Sequence, residues 1–191
     1  MNIIIIGATS GIGKAIFEFY ATKDNLIAIV GRRSHLLEQL RQKYPTHTIT
    51  AKADITNLSE TEKTLDYLCH DMPKIDLAIV CSGTGDINKS LDYSKECPTI
   101  ETNITGWTFL MDQLYHRLEK QGNGHLVAIS SAGGLRGEPN APHTAHPKLI
   151  KLIIWRLCAK ELSRMADISL LPMSDPGLLT LQWQKVRDCF G

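Results

Sequence analysis

An excess of one charge is the first thing this chain lacks. Its 21 Lys and Arg against 20 Asp and Glu leave a formal net charge of +1 over 191 residues. A near-neutral molecule exerts no global pull on nucleic acid or on an anionic membrane, so neither is expected as a partner. Long apolar runs are also missing. The greasiest stretch, residues 149–157, is interrupted by Lys151 and Arg156, whereas a membrane span needs about 20 consecutive apolar residues. The largely apolar first six residues run straight into Gly7 with no basic n-region and no small-residue cleavage site, so a signal peptide is not expected. Cysteine is sparse and unpatterned: Cys69, Cys81, Cys97, Cys158 and Cys189 are odd in number and form no CxxC pair. That argues against a disulfide framework and against a zinc site, and no metal is expected. Reduced thiols suit a cytoplasmic protein. No repeat, low-complexity tract or linker divides the chain, so residues 1–191 are read as a single domain.

What is present is an alternation of strand-like and helix-like segments. Residues 2–6 form a continuous apolar run, as in a strand buried on both faces. Ile12, Ala15, Ile16 and Phe19 follow at helical spacing. Residues 26–30 read as a second strand. Ser34 is placed to cap a helix whose apolar side carries Leu36, Leu37 and Leu40. Residues 48–51 are a third strand, and Ser59 with Glu62 has capping-box spacing ahead of Leu65 and Leu68. Strands at 77–80 and 126–129 flank a long helix over much of 99–119. Another helix begins near Pro147, and 168–171 reads as a sixth strand. Such alternation predicts an α/β fold: a Rossmann-like, doubly wound parallel sheet in three layers. Ligands then sit beyond the carboxyl ends of the strands, which directs attention to the loops after Ile6, Val30, Ala51, Val80 and Ile129.

The first of those loops reads Gly7-Ala8-Thr9-Ser10-Gly11-Ile12-Gly13. Glycines there allow a tight turn and close backbone approach to a pyrophosphate, whose charge the following helix N-terminus stabilises. The spacing of the three glycines resembles the fingerprint of the short-chain dehydrogenase/reductase family. Other stretches agree in order: Gly31-Arg32-Arg33, Asp54-Ile55, Cys81-Ser82-Gly83 where the family has Asn-Ala-Gly, Asn103, Ser130-Ser131, and Pro176-Gly177. The resemblance runs from about residue 2 to residue 180.

An acidic residue after the second strand suits the free ribose of NAD, whereas an arginine suits the 2′-phosphate of NADP. This chain carries Arg32 and Arg33 there and no acid. NADP(H) is therefore the expected cofactor, with NAD(H) the alternative. The cofactor-binding set is Gly7, Thr9, Ser10, Gly11, Ile12, Gly13, Arg32, Arg33, Asp54, Ile55, Ser82, Gly83, Lys148, Pro176 and Gly177. The resemblance implies that Asp54 meets the adenine amino group and that the Ile55 backbone flanks it.

The family's catalytic set is Asn, Ser, Tyr and Lys, and Asn103, Ser131 and Lys148 match three of them. Thr144 stands at the tyrosine position. A threonine hydroxyl is a far weaker acid than a phenol of pKa about 10, and it is shorter. His143 and His146 are nearby imidazoles able to titrate near neutral pH. Pro147 favours a helix start close to Lys148, later than in the family. Only residues 178–191 follow Pro176-Gly177, so the fold is expected to be truncated at its C-terminus, with Leu178, Leu179, Leu181 and Trp183 covering the sheet edge. Two functions remain in view. One is an oxidoreductase passing hydride between NADP(H) and a carbonyl or alcohol, with an impaired proton donor. The other is a catalytically weak or inactive NADP(H)-binding protein, a sensor or partner subunit. Trp107 and Phe109, with Ile153, Ile154 and Trp155, are read as packing or interface residues. The family's assemblies imply a homodimer or homotetramer.

Overall fold

In a computed structural model, residues 1–72, 74–85 and 88–131 are described, with strands 166–172 and 178–185 described by their backbone. The strands are β1 (Asn2–Ile6), β2 (Leu26–Gly31), β3 (Thr48–Lys52), β4 (Leu77–Val80), β5 (His125–Ser131), β6 (Ala166–Pro172) and β7 (Leu178–Lys185). The helices are α1 (Gly11–Ala21), α2 (Ser34–Lys43), α3 (Leu58–Asp71), α4 (Tyr93–Ile100) and α5 (Trp107–Gln121), with a π-helical turn over Glu101–Gly106 joining the last two. The sheet order is β3-β2-β1-β4-β5-β7-β6. The first five strands run parallel, with Ile6 beside both Val30 and Val80.

Period-two alternation along β1 builds two cores from one strand. Ile4 and Ile6 enter a cluster with Leu65 and Leu68 of α3 and Leu110, Leu114 and Leu118 of α5. Ile3 and Ile5 enter the opposite cluster with Phe17 of α1 and Leu37 and Leu40 of α2. The continuous apolar run therefore marks a strand covered on both faces, and the three-layer, doubly wound expectation holds. Trp107 belongs to the first core, at 1% exposure.

Several local expectations are corrected. Helix α1 buries Gly13 and Phe17, while Phe19 is 59% exposed. Phe19 instead meets the Tyr20 ring edge-on at 5.2 Å and the Lys23 ammonium at 4.1 Å. The phase is set by Gly13, which alone fits against the β1–α1 turn, and Phe17 lies one helical turn beyond it. Ser34 is the first residue of α2 rather than its cap. Helix α3 starts one residue before Ser59, and Asn57 caps it by accepting the Glu60 N–H at 3.1 Å. The long helix begins earlier than expected, where Asp92 caps α4 through the Ser94 N–H at 2.9 Å.

The expected sixth strand forms within β6, and residues 178–185 form a seventh. β7 is antiparallel to both β5 and β6. Five residues separate β6 from β7, too few for the crossover of a dozen or more that a parallel return requires. The residues expected to cover the sheet edge thus lie in a strand within the sheet.

The amino end of β1 is tied across the sheet. Asp76 accepts the Asn2 N–H at 2.8 Å, and its other oxygen lies 2.7 Å from the Lys74 ammonium. The hydrogen bond from Lys74, followed by that from Asn2, holds the Asp76 carboxyl below its ordinary range. A carboxylate depressed in the folded state adds stability above its unfolded pKa of about 3.9 and loses it as pH falls through the folded value. Urea unfolding from pH 7 down to pH 3 is expected to show a steeper acid loss for the wild type than for Asp76→Asn. Parallel pH profiles would contradict this assignment.

Candidate functional site

The site grows from the turn between β1 and α1. Gly7 has φ +88°, and a Cβ there would lie 2.8 Å from the Ser82 amide nitrogen. A Cβ on Gly13 would fall 2.2 Å from the Gly7 carbonyl oxygen. These two glycines let helix and loop close onto the sheet. Gly11 differs: its φ is +53°, and open space faces the position of its missing Cβ. The upper side of the turn is free where the N–H groups of the first helical turn lack intrahelical acceptors. Ser10 is the N-cap of α1, yet its side chain does not cap the helix.

The Ser10 hydroxyl is held by Arg33 instead. The Arg33 guanidinium donates to Ser10 Oγ at 2.7 Å and to Thr9 Oγ1 at 2.7 and 3.2 Å. It thereby straps the start of α2 to the glycine turn. Arg32 points elsewhere, with its guanidinium 3.7 Å from Asp54 Oδ2. The second Asp54 oxygen accepts the Thr56 N–H at 3.0 Å and the Thr56 hydroxyl at 2.9 Å, which fixes the carboxylate at the exit of β3. The two adjacent arginines therefore have different commitments.

Loops after β1, β2, β3 and β4 enclose a cleft of about 290 Å³. Gly7, Thr9, Ser10, Gly11, Ile12, Gly13, Arg32, Arg33, Asp54, Ile55, Ser82 and Gly83 all line it. Sequence reasoning missed Ile6, Gly31, Ala53, Cys81 and Thr102 as lining residues. Cys81 had a signal, since it opens the Cys-Ser-Gly stretch. Burial pushes its thiol up to about 12 and keeps it protonated at neutral pH. Thr102 had none, because its place depends on the π-helical turn.

That turn also seats Asn103, which is 5% exposed. Its amide donates to the Thr84 carbonyl at 2.5 Å and accepts the Thr84 N–H at 3.0 Å, clamping the loop after β4. Close approach is made possible by Gly106, where a Cβ would sit 2.4 Å from the Ile55 carbonyl oxygen. π-helical turns of this kind occur frequently at functional sites. Ser131 ends β5 at the same carboxyl edge, in register with Leu178. Thr144, Lys148, Pro176 and Gly177 lie outside the described residues, as do His143, His146 and Pro147. Among the described residues no group of acidic, His or Cys side chains is arranged to hold a metal ion, and no helix is long and apolar enough to cross a membrane.

A parallel sheet of order 3-2-1-4-5 with a glycine turn at its switch point narrows the ancestry, and sequence comparison decides it. The family model of short chain dehydrogenases matches residues 1–164. The chain belongs to the short-chain dehydrogenase family. An uncharacterized oxidoreductase of Mycobacterium tuberculosis is 30% identical over 188 residues, covering 93% of this chain and 73% of the relative. An NAD-dependent glycerol dehydrogenase of Listeria innocua is 30% identical over 131 residues, covering 67% of this chain and 51% of the relative. The closed form of a serine dehydrogenase complexed with NADP+ has the same fold, with a TM-score of 0.79 at 19% identity, covering 85% of this chain and 66% of the other. Membership places it in a family of dinucleotide-binding oxidoreductases.

The residues around the cleft suit such a nucleotide. Gly11 leaves room for a pyrophosphate over the helix start, and the Arg32, Arg33 and Asp54 side chains supply polar partners at the far end. Gly13→Ala would drive a methyl group into the Gly7 carbonyl, and overpacking of this kind costs about 1–3 kcal/mol. The variant is expected to lose that much stability in urea unfolding and to bind dinucleotide at least about tenfold more weakly in calorimetry. Wild-type affinity in a stable Gly13→Ala protein would contradict the packing.

Proposed function

We propose that this protein is an NADP(H)-dependent oxidoreductase of the short-chain type, acting on a carbonyl or alcohol. The observation that carries the NADP(H) preference is the Arg33 strap. A guanidinium already bonded to Thr9 and Ser10 lines the cleft beside the glycine turn, and no carboxylate directly follows β2 to accept a free ribose hydroxyl. Guanidinium pairs bidentately with phosphate. The relatives include both an NAD-dependent enzyme and an NADP+ complex, so the chain's own residues make the choice. Asp54 then serves the adenine amino group with the oxygen that Thr56 leaves open.

The bound nicotinamide would supply or accept the hydride. Ser131, at the carboxyl end of β5, would hold the substrate oxygen, and Lys148 would hold the cofactor ribose. Asn103 has both ends of its amide committed to Thr84, so it acts by holding the loop that floors the cleft. Thr144 is the weak member of the set, because it stands where a phenol would exchange the substrate proton. Positioned acid–base groups contribute about 10²–10⁴-fold to rate, so turnover is expected to be slow. Thr144 equally favours a second reading, in which the protein binds NADP(H) without turning it over and serves as a sensor or partner subunit. We further propose a single domain working in the cytoplasm as a homodimer or homotetramer. The free thiols of Cys69, Cys81 and Cys97 support that compartment.

Calorimetric titration with NADPH and NADH, followed by a carbonyl screen on the same sample, tests both readings. Tighter NADPH binding with turnover supports the enzyme, and binding without turnover supports the second reading. Preference for NADH overturns the cofactor assignment. Hydrogen bonds to charged groups are worth about 1.5–3 kcal/mol. Arg33→Ala is therefore expected to weaken NADPH about 10- to 100-fold while leaving NADH within about threefold. Arg32→Ala, which frees only an exposed pair with Asp54, should change NADPH less. Thr144→Tyr is expected to raise turnover where the rest of the site is competent.

A further inference from the structure

We propose that Thr102 donates a hydrogen bond from its hydroxyl to the adenosine half of a bound dinucleotide, an inference that rests on the cleft being the dinucleotide site and holds for NADP(H) and NAD(H) alike. Thr102 lies in the π-helical turn Glu101–Gly106 and lines the cleft with Asp54, Ile55, Ser82 and Gly83. It is 7% exposed. Among the described residues its hydroxyl has no hydrogen-bond partner. A buried side chain whose polar group the protein leaves unused thus forms part of the cleft wall.

The residues around it are committed, and they hold the turn in place. The Asn103 amide is bonded to the Thr84 backbone at both ends. Gly106 packs on the Ile55 carbonyl, so the turn lies against the exit of β3. A threonine inside a helix commonly turns its hydroxyl back onto the carbonyl four residues earlier. Thr102 makes no such bond. Widened helical turns of the π type gather at functional sites, and here the widened turn carries the free hydroxyl.

An occupant of the cleft strips the hydration from this hydroxyl, and leaving it bare carries its full desolvation penalty. A ligand with a polar atom opposite Thr102 is therefore favoured over one with an apolar surface there. The adenosine half is the part that fits. Thr102 and Ile55 come from elements that touch through Gly106, and Asp54, beside Ile55, is the residue read as partner of the adenine amino group. The pyrophosphate belongs over the open side of Gly11. Adenosine offers ring nitrogens and ribose oxygens as acceptors, and a threonine hydroxyl carries one hydrogen to donate.

The test is calorimetric titration of Thr102→Val and Thr102→Ser with NADPH, NADH and adenosine 2′,5′-bisphosphate, joined to urea unfolding without nucleotide. Valine keeps the shape and removes the hydroxyl, and serine restores it. Thr102→Val is expected to bind NADPH, NADH and the bisphosphate about fivefold more weakly than the wild type, and Thr102→Ser to stay within about twofold. Without nucleotide, Thr102→Val is expected to unfold at the same urea concentration as the wild type or a higher one, because no protein group loses a partner. Wild-type affinity in Thr102→Val would overturn the proposal. So would weaker NADPH binding with unchanged bisphosphate binding, which would move the contact off the adenosine half. A lower urea midpoint, or a variant that does not fold, would also overturn it by giving the hydroxyl a partner within the protein. A wild type that binds none of these ligands overturns the reading of the cleft itself and this inference with it, whereas a preference for NADH overturns only the choice of cofactor.

Discussion

The fold and the cleft depend on one close contact, that of Gly13 with the carbonyl of Gly7. A side chain at residue 13 would collide with backbone, so only glycine lets α1 lie this near the end of β1. The contact sets the phase of α1, which turns Phe17 into the core beside Ile3 and Ile5. It also aims the helix start at the cleft, where free N–H groups gather beneath Gly11. A single steric requirement thus places a core side chain on one side of the turn and an anion-binding edge on the other.

A second close approach does the same work on the opposite face of the sheet. Gly106 lets the helical segment meet the Ile55 carbonyl, and the π-helical turn before it brings Thr102 and Asn103 to the cleft. Asn103 then holds the Thr84 backbone from both sides of its amide. The loops after β3 and β4 are therefore fixed by one helix. Glycine turn, β3 exit and β4 exit are positioned by close backbone packing and by the Asn103 amide, while Arg32, Arg33 and Asp54, held by their own neighbours, line the cleft.

Much of this was open to sequence reading, and the failures have physical causes. The apolar run at 2–6 identified β1 because a strand covered on both faces needs no polar alternation. The glycine turn was readable because its spacing follows from steric necessity. Phe19 misled, since it continues the helical stripe in composition while the Gly13 contact rotates that stripe toward Phe17. Thr102 was invisible because a local π-helical turn changes which residues face the cleft. The reversed direction of β7 was also unmarked by its apolar pattern, which is the same for either strand sense. The five-residue spacing to β6 determined it.

Adjacent arginines show how far local sequence can go before geometry must take over. Arg32 and Arg33 are equivalent as symbols after β2, yet one reaches across to Asp54 and the other reaches back to Thr9 and Ser10. Consecutive residues leave the chain in opposed directions at a strand end, so a pair of like charges there serves two separate points of the cleft. The exposed Arg32–Asp54 contact is loose and screened by water. The Arg33 contacts are short, and they join two loops that have no other described side-chain hydrogen bond between them. A phosphate arriving at Arg33 meets a guanidinium whose rotamer is already restrained, so less ordering entropy opposes its capture.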